Sequence, residues 1–194
     1  NRVVPRPGVP EEWWACAPAG GLWRTEDGGD SWTAMGNGQL TSIGVTDIAF
    51  HPTDPDRLWI ATGDGDFGDT RSIGVWTSED GGESWSATAL DWAPYMGRTQ
   101  TRMLVHPDHP DTLWTASSLG VYRSLNGGLS WTRTLTGDIA SLEIDPSDPE
   151  HLLAGSFGNL IAESHDAGGS WSIQYLDGNT YGLSRIAVAF SPSN

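Results

Sequence analysis

The chain has 194 residues, with 25 acidic against 10 basic side chains and a formal net charge of −15. A face that displaces counterions from phosphates needs clustered cations, so this balance excludes a nucleic-acid surface and docking on anionic membranes. One cysteine, Cys16, excludes an internal disulfide and a thiolate zinc site, while 25 Gly and 11 Trp point to many tight turns around large aromatic side chains.

In chain order, Trp13-Trp14-Ala15-Cys16 and Gly21-Leu22-Trp23-Arg24 read as two strands, followed by the box Thr25-Glu26-Asp27-Gly28-Gly29-Asp30-Ser31-Trp32. Asp47-Ile48-Ala49-Phe50 is an apolar run that meets a proline turn at 51–55. Leu58-Trp59-Ile60-Ala61 and Gly74-Val75-Trp76-Thr77 follow, and then a second box, Ser78-Glu79-Asp80-Gly81-Gly82-Glu83-Ser84-Trp85. The same order returns with Met103-Leu104-Val105, the turn 106–110, Leu113-Trp114-Thr115-Ala116, Gly120-Val121-Tyr122-Arg123 and the box 124–131. It returns again with Leu142-Glu143-Ile144, the turn 145–149, Leu152-Leu153-Ala154-Gly155, Asn159-Leu160-Ile161-Ala162 and the box 164–171. Each run has strand length, and the Pro turns end strands because Pro donates no ladder hydrogen bond. No run of about 18 apolar residues is present to form a membrane-spanning helix.

The repeating unit is therefore strand A, Pro turn, strand B, loop, strand C, Asp-Gly turn, strand D. Four antiparallel strands in roughly 40–50 residues make one blade of a β-propeller. The expected fold is all-β, with a partial blade at 13–34, complete blades at 45–90, 100–135 and 139–176, and the start of another at 184–194. That is three complete blades and two partial ones, the expectation for a fragment of a larger propeller; a first residue, Asn1, that is not Met fits either a processed protein or a piece of a longer one.

The boxes have a physical logic of their own. Asp27, Asp80, Asn126 and Asp166 accept backbone N–H groups inside their own turns. The glycines supply positive φ. Trp32, Trp85, Trp131 and Trp171 are expected to fold back and plug the space between blades. Asn126 in the third copy suits a hydrogen-bond acceptor better than a required charge, so the role is structural rather than catalytic.

These boxes resemble the Asp-box, or BNR repeat, of sialidases, sortilin-type receptors and family-74 xyloglucanases. The chain also resembles large secreted bacterial proteins that carry C-terminal sorting domains. The resemblance implies a secreted or cell-surface propeller whose ligand face holds the B–C and D–A loops. Family-74 enzymes resemble inverting hydrolases with two Asp carboxylates in a cleft between two propellers. The first of these aligns with Pro18, which is neither acid nor base, so no catalytic residue is assigned and no cofactor is required.

Three loops fall on the implied ligand face. In 63–71, Asp64, Asp66 and Asp69 offer oxygen ligands for calcium, and Arg71 stands beside them. In 90–100, Asp91, Trp92, Tyr95 and Arg98 suit a sugar, through ring stacking and hydrogen bonds to hydroxyls. In 177–185, Tyr181 and Arg185 form a weaker set. The five histidines show no metal-ligand spacing, and His51 and His106 occupy equivalent turn positions. The expected function is binding of a glycan or a surface protein. The alternatives are a carbohydrate-active hydrolase with its catalytic pair partly outside this chain, and a scaffold segment of a larger assembly.

Overall fold

The computed structural model describes residues 2–36, 38–40, 43–65, 70–176 and 185–191. They form four antiparallel sheets of four strands each. The first holds β1 (Arg2–Pro5), β2 (Trp13–Ala17), β3 (Gly21–Thr25) and β4 (Thr33–Ala34). The second holds β5 (Val45–Phe50), β6 (Leu58–Thr62), β7 (Gly74–Ser78) and β8 (Ser86–Asp91). The third holds β9 (Gln100–Val105), β10 (Leu113–Ser117), β11 (Gly120–Ser124) and β12 (Thr132–Thr136). The fourth holds β13 (Ile139–Asp145), β14 (Asp148–Ser156), β15 (Leu160–Ser164) and β16 (Ser172–Tyr175). In every sheet the strands lie side by side in sequence order. The first strands β1, β5, β9 and β13 contact one another in turn, so they form the inner wall of a propeller.

The first sheet is fuller than the sequence reading allowed. Arg2–Pro5 pairs with β2, Arg2 opposite Cys16 and Pro5 opposite Trp13, and completes a blade expected to begin at residue 13. The signal was weak because two apolar residues between Arg and Pro carry no alternation to read. Residues 185–191, expected to open another blade, run beside the fourth sheet. A single bridge, Phe157 to Arg185, and the Ile186 N–H donated to Ser156 O at 3.0 Å hold them there.

The hairpin boxes close by one hydrogen-bond pattern repeated four times. In the second box Ser78 Oγ donates to Asp80 Oδ1 (2.8 Å) and accepts from Gly82 N, while Ser84 N and Ser84 Oγ donate to the two Asp80 oxygens (2.9 and 2.5 Å). Asn126 replaces the second oxygen with an amide that donates to Ser130 Oγ at 2.9 Å, so the pattern survives without charge. Hydrogen bonds from Ser31 and Ser84 hold the Asp27 and Asp80 carboxyls below the usual range, and the Ser170 N–H does the same for Asp166. Each box also leans on its own Pro turn, as in Gly81 N to Asp56 O (2.9 Å) and Gly127 N to Asp111 O (2.8 Å).

The aromatic plugs differ from the expectation. Among the box tryptophans only Trp85 is buried; Trp32, Trp131 and Trp171 are half-buried. The fully buried indoles are Trp14, Trp59 and Trp114, which come from the second strands of the first three sheets. Each reaches forward onto the next box. A Cβ at Gly82 would lie 2.7 Å from the Trp14 ring. Trp59 Nε1 donates to Gly127 O (3.2 Å) and Trp114 Nε1 to Ala167 O (2.8 Å). A box residue sits at the end of a hairpin, where one indole face meets solvent, whereas a second-strand residue lies between two sheets. Three apolar cores result, one between each successive pair of sheets.

Candidate functional site: the loop face and the propeller axis

The loops between second and third strands meet the loops between sheets at one end of the molecule. Ser72 N donates to Arg98 O (2.9 Å), Ser118 N to Thr99 O (3.0 Å), Gly63 N to Gly44 O (2.6 Å) and Phe157 N to Asp138 O (2.8 Å). Beneath them lies a buried polar network. The Gln100 side chain accepts from Thr62 N (3.0 Å) and Ser72 Oγ (2.9 Å) and donates to Thr115 Oγ1 (2.8 Å). All four residues are buried. A satisfied network of this kind fixes one arrangement, so the loops above it stand on a rigid base.

The residues expected to bind a ligand separate into three groups. Tyr95 is 87% exposed on a 3-10 turn, Pro94–Met96. Pro94 presets the entry to that turn, and Gly97 at φ +67° closes it by donating its N–H to Pro94 O. Arg71 and Asp91 are exposed and Arg98 is half-buried at the same end. Trp92 does not belong with them: it is 9% exposed, edge-on to Tyr122 with centroids 5.9 Å apart, and part of the core between the second and third sheets. Its main-chain N–H donates to Ile73 O at 3.2 Å, which ties the loop to the sheet above that core. Arg185 lies apart, at the fourth sheet, with its guanidinium 5.9 Å from the Phe157 centroid. Tyr181, Asp66 and Asp69 lie outside the described residues. Asp64 is buried, with its N–H donated to Thr70 O at 2.9 Å. Pro18, the position aligned with a catalytic Asp, forms the turn before β3, and its carbonyl accepts from Thr70 Oγ1.

A charged cluster on the inner wall was not foreseen. Arg2, Asp47, Arg102 and Ser141 each stand five residues before the first proline of their turns, Pro7, Pro52, Pro107 and Pro146. That common offset was the available signal. Asp47 is 1% exposed; Oδ2 accepts from Met103 N (3.0 Å) and Arg102 Nη1 (3.2 Å), and Arg2 Nε lies 3.6 Å from Oδ1. Arg102 continues the chain to the fourth sheet through Leu142 O (3.1 Å) and Glu143 Oε2 (2.8 Å). Burial pushes the Asp47 carboxyl up to about 6 against the pull of Arg2 and of the Met103 and Ile48 N–H groups. Burial also raises Glu143. Because Asp47 is enclosed by groups from three sheets, its chemistry is that of an anchor between blades rather than of a group presented to substrate.

No protein-family model and no curated protein matches the chain. Among solved structures it is similar to a GH74 enzyme from Niastella koreensis, with a TM-score of 0.72 and 19% identity over 90% of this chain and 29% of that one. It is also similar to the GH74 xyloglucanase from Xanthomonas campestris, with a TM-score of 0.67 and 20% identity over 88% of this chain and 29% of that one. A third similar structure is YCF48 bound to D1 peptide, with a TM-score of 0.59 and 17% identity over 91% of this chain and 57% of that one. At these identities the likeness is one of fold: the neighbours are β-propellers and so is this chain. The chain spans under a third of the GH74 chains and just over half of the YCF48 chain.

Proposed function

We propose that the chain is a segment of an Asp-box propeller, in a secreted or cell-surface protein, that binds a glycan or a protein surface on its loop face without transforming it. The observation that carries this reading is Tyr95, 87% exposed on a backbone turn set by Pro94 and Gly97, with Arg71, Asp91 and Arg98 at the same end. A tyrosine has few side-chain torsions to order and offers a large amphipathic contact, and its ring serves a sugar or a peptide equally. The D1 peptide bound to YCF48 and the xyloglucanase among the neighbours support the two ligand classes.

The test is calorimetric titration of the chain with xyloglucan oligosaccharides and with extended peptides. Binding of either class that weakens about tenfold or more in Tyr95→Ala, with an unchanged melting temperature, is the expected result. Equal affinity in wild type and variant overturns the assignment of the loop face. A hydrolase with its catalytic pair partly outside this stretch is the second reading, favoured by the GH74 likeness. Release of reducing sugar from xyloglucan by a longer form of the protein, abolished by substituting a carboxylate at the loop end, would replace binding with catalysis.

A further inference from the structure

The fourth sheet carries a cluster of side chains that the spacing of histidines in the chain conceals. Leu152 pairs with Ser164 and Leu153 with Glu163, so the ladder carries His151 opposite His165 and puts both on the face that bears Glu163. The two imidazole rings stack at 4.3 Å with 23° between their planes. His151 Nε2 lies 2.8 Å from Glu163 Oε1, and His165 Nε2 lies 3.4 Å from the same oxygen. One ligand atom from each of the three residues falls within 4.8 Å of the others. The Phe190 ring meets the His151 ring edge-on at 4.8 Å and covers one side of the cluster.

The other ring nitrogen of His151 is also engaged. His151 Nδ1 faces Asp145 Oδ2 at 3.4 Å. Asp145 occupies the turn position held by His51 and His106 in the second and third sheets. Those histidines cap their turns with Nδ1, as when His51 accepts from Thr53 N and Asp54 N. Asp145 caps its turn with Oδ1 alone, accepting from Ser147 N (2.8 Å) and Ser147 Oγ (2.7 Å), which leaves Oδ2 to orient His151. With a carboxylate facing Nδ1, the proton of a neutral His151 is held on that side, so displacing the proton between Nε2 and Glu163 frees the Nε2 lone pair for a metal.

The internal repeat supplies a comparison. The positions equivalent to His151, Glu163 and His165 are Glu12, Arg24 and Glu26 in the first sheet. There Arg24 pairs with both carboxylates (3.2 and 2.5 Å) and lies 5.6 Å from the Trp14 centroid. In the second sheet the equivalents are Arg57, Thr77 and Glu79, and Arg57 covers Trp59 at 5.0 Å. A fixed cation therefore stands on this face in both, at the Glu163 position in the first sheet and at the His151 position in the second. In the fourth sheet Leu153 replaces the tryptophan, no arginine stands among the three positions, and the groups facing the carboxylate are two imidazoles, His151 and His165. Among the described residues those imidazoles are the ion-pair partners of Glu163. The rim is open in the repeat as well: Glu26 keeps 69% of its side chain exposed although a second sheet packs beside the first.

We propose that His151, Glu163 and His165 form a binding site for a divalent transition metal of the zinc class, with Asp145 holding His151 in its ligating tautomer. Two imidazoles and one carboxylate suit zinc, copper or nickel rather than calcium or magnesium. The metal takes the place of the protons that bridge the imidazoles to Glu163. Three protein ligands leave a coordination position for water or for an exogenous ligand.

The test is titration of the tag-free chain with zinc chloride by calorimetry, with cobalt(II) absorption as a second readout of coordination. The expected result is saturable binding of one zinc per chain. His165→Ala and Glu163→Gln are each expected to weaken it about tenfold or more, and Asp145→Asn about tenfold to a hundredfold. His109→Ala, beside His106 on the third sheet, leaves affinity unchanged. His165 is 66% exposed, so its removal spares the fold and keeps the test informative if His151→Ala proves unstable. Absence of saturable binding overturns the site, as does wild-type affinity in His165→Ala or an equal loss in His109→Ala.

Discussion

Trp114→Ala removes the indole that joins the third sheet to the fourth. The side chain is fully buried. An indole of this kind removes roughly 150–250 Å² from water. At about 25 cal/mol per Å² that area is worth roughly 4–6 kcal/mol, in line with the roughly 3–5 kcal/mol that large aromatic truncations cost. The variant also loses the Nε1 donor to Ala167 O, leaving a carbonyl at the fourth box without its partner; an orphaned group of this type costs about 1–3 kcal/mol when it stays dry. Each kcal/mol moves the melting temperature of a chain this long by roughly 2–4 °C, so a fall of roughly 6–20 °C is expected. The measurement is a thermal melt and a urea titration followed by circular dichroism, with Trp32→Ala alongside. Trp32 is a half-buried box residue, and its loss is expected to cost less than half as much. A change below about 2 °C in Trp114→Ala, or an equal cost in Trp32→Ala, would refute the assignment of the second-strand indoles as the plugs between blades.

Two further outcomes follow from the same contacts. Gly168 sits at φ +74°, and a Cβ there would lie 2.8 Å from Trp114 Nε1. Gly168→Ala is therefore destabilising, and less so in the Trp114→Ala background, where only the backbone strain is left; a double-mutant cycle on urea midpoints should give a coupling of about 0.5–3 kcal/mol. The second outcome concerns pH. Asp47 has its folded pKa raised to about 6, above the unfolded value of about 3.9. Its favourable contribution is full below the unfolded value and is lost as pH rises through the folded one. The stability of the wild type relative to Asp47→Asn should therefore fall between about pH 4 and pH 6.5 and level off above that. Asp27, Asp80 and Asp166 have lowered values, so their contribution is present above the unfolded pKa and is lost in stronger acid, below this window. A difference between wild type and Asp47→Asn that is independent of pH would show that Asp47 binds protons equally in the folded and unfolded states, and so would refute the raised folded value.

Local chemistry made most of the architecture legible. A proline turn and a Gly-rich hairpin each act over a few residues, so the strands of the second, third and fourth sheets could be placed from their punctuation. The role of Asn126 was readable for the same reason, because an acceptor inside its own turn needs no distant partner. Arg2–Pro5 escaped because it has the length of a strand but no pattern, and only its pairing with β2 makes it one. Trp92 looked like a ligand contact because an indole in a polar loop has two readings; its contact with Tyr122, thirty residues away, decides between them.

The candidate sites depend on contacts of another kind. Tyr95 was named from composition and stands exposed, since Pro94 and Gly97 act on their immediate neighbours. The axial cluster joins Asp47 to Arg102 across 55 residues, and the histidine cluster joins residues 12 and 14 apart only after two strands pair in register. The chain by itself thus determined the blades, through turn and strand preferences carried by adjacent residues. Which indoles fill the gaps, which charges meet at the axis and which imidazoles share a carboxylate was decided by the stacking of the sheets, because those contacts depend on strand register and on packing between sheets.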